Sequence, residues 1–62
     1  MYRNYYLVIE TCFRNEKALE LLKDGWNCLY NDMIKYGASS QIDTICGMVI
    51  LDFVEAGFIE RN

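Results

Sequence analysis

From Leu19 onward, apolar residues recur at alternating spacings of three and four, through Leu22, Trp26, Leu29 and Met33 to Tyr36. This is an a/d stripe sustained for roughly three heptads, the mark of an amphipathic helix. Glu16, Glu20, Lys23, Asn27, Asn31 and Lys35 fall on or near the opposite side, which makes that side a solvated face. Asn15 suits an N-cap, and Glu16 adds a carboxylate in the first turn, where the helix dipole favours it. The pattern predicts one helix from Asn15 to about Tyr36. Gly37 can end it in a left-handed conformation.

The next segment carries a wider apolar surface. Placed at 100° per residue, Ile42, Cys46, Val49, Ile50, Leu51, Phe53 and Val54 spread over roughly 200° of arc, against the narrower stripe of an ordinary surface helix. Gln41, Thr44, Asp52 and Glu55, with Met48 among them, form the polar strip. A second helix from Gln41 to about Ala56 follows, capped by Ser39 or Ser40 and stopped by Gly57. Joined by the short "ASS" connection, the two helices should lie antiparallel. Gly47, beside Cys46, offers a small patch where another helix can pack closely.

Residues 4 to 13, "NYYLVIETCF", are rich in β-branched and aromatic types. Tyr5, Leu7, Ile9, Thr11 and Phe13 alternate with Tyr6, Val8 and Glu10, which predicts a strand. One strand cannot satisfy its own backbone, so it needs another segment or another copy as partner. "FIE" at residues 58 to 60 is available as a short C-terminal strand. The expected fold is a single domain over residues 1 to 62, mainly α (small α+β): an N-terminal β-strand, then an antiparallel two-helix hairpin, with that short C-terminal strand.

Composition decides how such a core is completed. Of the 62 residues, 53% are hydrophobic and 15% aromatic, too rich for a disordered chain. A domain this small hides only about 60% of its unfolded surface. Oligomerisation is a common remedy, and a homodimer would cover the wide apolar arc and pair the strand. Cys12, Cys28 and Cys46 are an odd set without a C-x-x-C pair, which suggests a reducing compartment, the cytoplasm. The apolar run "YYLVI" is too short for a signal-peptide core, and residues 45 to 51 are too few for a membrane span.

Net charge is −3, and between Tyr36 and Glu60 there is no Lys or Arg, while Asp43, Asp52, Glu55 and Glu60 lie there. Such a chain is repelled by phosphate backbones, so nucleic acid is disfavoured as a direct partner. A basic-faced protein suits it better. With no histidine, nucleophilic catalysis lacks its commonest base, and Ser39 and Ser40 sit where helix caps belong. Three cysteines on separate elements have no metal-ligand spacing and read as core residues. Asp52 with Glu55, and Glu16, Glu20 and Asp24, fall on predicted solvent faces. No enzyme, metal or cofactor is expected.

"SSQIDTICGMVILDFVEAGFIER", residues 39 to 61, resembles the recognition helix and first wing strand of winged-helix regulators, most closely over "VEAGFIER". "YGASS" is similar to their helix-turn-helix turn. The resemblance implies a winged-helix-like transcriptional regulator or adaptor as the alternative function. The positions this helix would present are Gln41, Thr44, Met48, Asp52 and Glu55, none of them basic, so an adaptor that binds protein fits better than a reader of DNA.

The expected function is therefore non-enzymatic protein binding by stoichiometric interaction, on the analogy of phage-type inhibitors of a host enzyme or defence system. Candidate contacts are Trp26, Tyr30 and Met33 on the first helix and Met48, Asp52 and Glu55 on the second. Aromatic anchors with an acidic rim suit an interface.

Overall fold

A computed structural model describes residues 3 to 35 and 40 to 61. Among these residues four helices follow one another: α1 (Arg3–Arg14), α2 (Glu16–Gly25), α3 (Asn27–Lys35) and α4 (Ser40–Ala56). The segment expected as an N-terminal strand is the helix α1, and the expected two-helix hairpin is three helices, its first helix being divided into α2 and α3. Among the described residues no strand forms, residues 58 to 60 included. Gly37, Ser39 and Tyr36, read as helix stop, cap and end of the stripe, lie outside the described residues. α4 begins at Ser40.

With no second strand to pair with, residues 3 to 14 satisfy their backbone internally, as a helix does. Val8 and Thr11, three apart, are the buried positions of α1. Thr11 resolves its hydroxyl locally by donating to the Leu7 carbonyl at 2.8 Å. Helical spacing also reverses the fate of Phe13, which a period of two would place beside Thr11 and which is in fact 87% exposed.

Asn15 is the N-cap expected of it. Its backbone is extended (φ −142°, ψ 108°) and its side-chain oxygen accepts from the Lys17 N–H at 3.0 Å. The long helix beyond it, however, breaks at Trp26, whose φ of −132° and ψ of 48° leave the helical region. The Trp26 N–H still closes α2 on the Leu22 carbonyl (2.6 Å), and its own carbonyl accepts the Tyr30 N–H (3.1 Å) to open α3. One residue thus ends one helix and starts the next. Gly25 immediately before it weakens the helix locally, and the stripe keeps its phase across the break.

The core joins all four helices: Val8 of α1, Ala18 and Leu22 of α2, Leu29 of α3, and Ile42, Cys46, Val49 and Phe53 of α4 are buried. α4 packs chiefly against α1 and also against α3. Gly47 faces α1, where an added Cβ would lie 3.4 Å from the side-chain nitrogen of Asn4, an ordinary contact. The stop at Gly57 is a full Schellman motif. Gly57 takes φ +88°, its N–H reaches the Val54 carbonyl, and the Phe58 N–H reaches the Phe53 carbonyl. The Phe58 ring then meets Phe53 edge-on at 5.9 Å, the hydrophobic contact that accompanies this motif. Phe58 and Ile59 thus pack against the core, and no strand forms there.

Candidate protein-binding surfaces

Among the described residues two surfaces remain uncovered once the helices have packed. The first is a groove of about 350 Å³ between α1, α2 and α3, lined by Ile9, Cys12, Phe13, Leu19, Tyr30, Met33 and Ile34. None of these side chains is charged at neutral pH. Most of the lining is half-buried, but Phe13 and Ile34, the latter 65% exposed, stand open to water. Lys23 lies over the Tyr30 ring, its Nζ 5.2 Å from the centroid, a modest cation–π contact.

The second surface is the outward face of α4. Gln41, Thr44, Met48, Leu51, Asp52 and Glu55 are all exposed, and helical geometry gathers them within about 100° of arc. The polar strip expected from the sequence is therefore the solvent face. Leu51, expected on the apolar arc, belongs to it instead, with 62% of its surface in water.

The six candidate contacts consequently divide. Tyr30 and Met33 lie in the groove, while Met48, Asp52 and Glu55 share the α4 face. Trp26 connects the two regions: it is half-buried against the core, and its indole Nε1 donates to Asp52 Oδ2 at 2.9 Å. Two residues expected to meet a partner thus already meet each other. Phe13, Ile34 and Leu51 were missed. Phe13 is lost when a period of two is imposed on residues 4 to 13, and Ile34 because it flanks the a/d stripe. A 100° projection of residues 4 to 13 is the signal that separates Phe13 from Val8 and Thr11.

The surroundings of Cys46 and Cys12 favour the neutral thiol. Burial, and then the charge of Asp43, push Cys46 up to about 11, and burial also raises Cys12. Cys28 is exposed on the first turn of α3, against its expected place in the core. Asp43 Oδ1 is buried and without a hydrogen-bond partner among the described residues. No group of three or more potential metal ligands comes together among them. Among the described residues no helix is long and apolar enough to cross a membrane. No family model, curated protein or solved structure matches the chain.

Proposed function

We propose that the chain is a small acidic, non-enzymatic protein-binding protein that acts by stoichiometric interaction as a homodimer, in the manner of a phage-type inhibitor of a host enzyme or defence system. The observation that carries this reading is the groove with Phe13 on its rim. A phenylalanine 87% exposed in so small a domain gains roughly 2 kcal/mol when it is buried. A twofold interface requires one patch that is complementary to itself, and Phe13 supplies an apolar knob beside an apolar hole. The groove lining holds no charge, so two acidic copies can meet there without opposing like charges. A reducing cytoplasm suits the three free thiols.

The test is mass in solution by light scattering on a size-exclusion column over a dilution series. The expected result is a dimer of twice 7.3 kDa that becomes a monomer in Phe13→Ser. A chain that is monomeric at every concentration removes the homodimer and leaves the groove open to a foreign partner.

A further inference from the structure

We infer that the outward face of α4 is a docking surface for a cationic amphipathic helix of another protein. The inference rests on the reading of the chain as a protein binder and names the chemistry of its partner. Met48 and Leu51, 51% and 62% exposed, form an apolar centre on this face. Asp52 and Glu55 extend it toward the C-terminal end of α4. Carboxylates there oppose the helix dipole, which favours cations at that end. The fold does not offset them: the last turn of α4 holds no base, and no Lys or Arg pairs with Glu55 among the described residues. A partner's Lys or Arg would satisfy both the carboxylates and the dipole.

The Trp26 indole fixes one oxygen of Asp52 and leaves the other to accept from a cation, so part of the ordering cost of binding is already met. Met48 beside Leu51 is an adaptable apolar contact. The face is about 21 Å long from Gln41 to Glu55, enough for four turns of a partner helix read through its i, i+3, i+4, i+7 anchors. The groove lacks any charge to select such a partner, which assigns the two surfaces different occupants. The same carboxylates repel nucleic acid.

The probe is a synthetic peptide of about 18 residues made of leucine and lysine with leucines at helical spacing, titrated into the full chain. Trp26, the single tryptophan and the neighbour of Asp52, reports binding by fluorescence. The expected result is saturable binding that falls steeply with salt. It weakens about tenfold in a Met48→Ala/Leu51→Ala double variant, and about threefold in Glu55→Gln. Circular dichroism should show both variants folded, because the changed side chains are exposed. A peptide of equal composition with scattered leucines should bind at least about tenfold more weakly. No saturable binding, equal affinity for the scattered peptide, or indifference to the double substitution overturns the inference. So does loss of binding in Phe13→Ser, which would move the site to the groove. A monomeric chain that still binds the peptide removes the homodimer and keeps the α4 site; a dimer that ignores the peptide does the reverse.

Discussion

The chain turns twice through a single residue, at Asn15 between α1 and α2 and at Trp26 between α2 and α3, and the two junctions are built differently. Asn15 caps its helix with its own side chain, two residues away, on the Lys17 N–H. Its carbonyl accepts the Leu19 N–H and its N–H closes α1 on Thr11. Trp26 makes the same two backbone bonds but has no capping oxygen, and its side chain travels to Asp52, 26 residues further on. The first junction is local chemistry that any neighbouring fold would preserve. The second depends on α4 being in place. Such a difference should be visible in stability.

The largest effect is expected at the non-local junction. Trp26→Ala removes a half-buried ring and its bond to α4, and should cost about 2 kcal/mol, less than the truncation of a fully buried aromatic. Denaturant unfolding at neutral pH measures it. Trp26→Phe keeps most of the apolar surface and isolates the hydrogen bond, for which about 1 kcal/mol is expected. If neither variant differs from wild type, the break at Trp26 owes nothing to Asp52 and the contrast fails.

Asn15→Ala should cost about 1 kcal/mol through the lost cap, and thermal unfolding should show it without change in the Trp26 environment. That independence sharpens the contrast, because additivity with Trp26→Phe is expected only if one junction is local. The glycines give a matched pair. Gly57→Ala places a side chain at φ +88° and should destabilise by about 1 kcal/mol. Gly25→Ala, at the end of α2 where an added Cβ meets nothing within 4 Å, should stabilise by about 0.5 kcal/mol.

The smallest difference expected is between the junction variants as pH rises. Cys46 ionises at about 11 in the folded chain, against an ordinary 9.0 when unfolded. Its contribution is complete below about 9 and lost as pH climbs toward about 11, because the unfolded thiol ionises first. Wild type, Asn15→Ala and Trp26→Phe should all lose stability across that window with the same slope, since Cys46 belongs to neither junction. Unequal slopes would mean that removing a junction contact changes the burial of Cys46.

The candidate surfaces were legible to unequal degrees for the same reason. Met33 follows from the stripe of α2 and α3, Tyr30 from the position beside it, and the α4 strip from its polar positions, because a helix's own period sorts its faces. Phe13 was hidden by alternation in residues 4 to 13, which satisfies a period of two as well as a helical one over so short a stretch. Leu51 was hidden by its type, since a leucine on the edge of a wide apolar arc looks like core until the neighbouring helices are placed.

By itself the sequence determined where caps and stops fall, at Asn15 and Gly57, and which faces of residues 16 to 35 and of α4 meet water. These rest on side-chain chemistry within a few residues of the backbone they act on. Only the tertiary structure decided that residues 3 to 14 are helical, that the long stripe breaks at Trp26, and that Phe13 and Leu51 lie outside the core. Each of those outcomes concerns how segments distant in sequence come together: no described strand pairs with residues 3 to 14, the Trp26 indole bonds to Asp52, and α1 packs against α4.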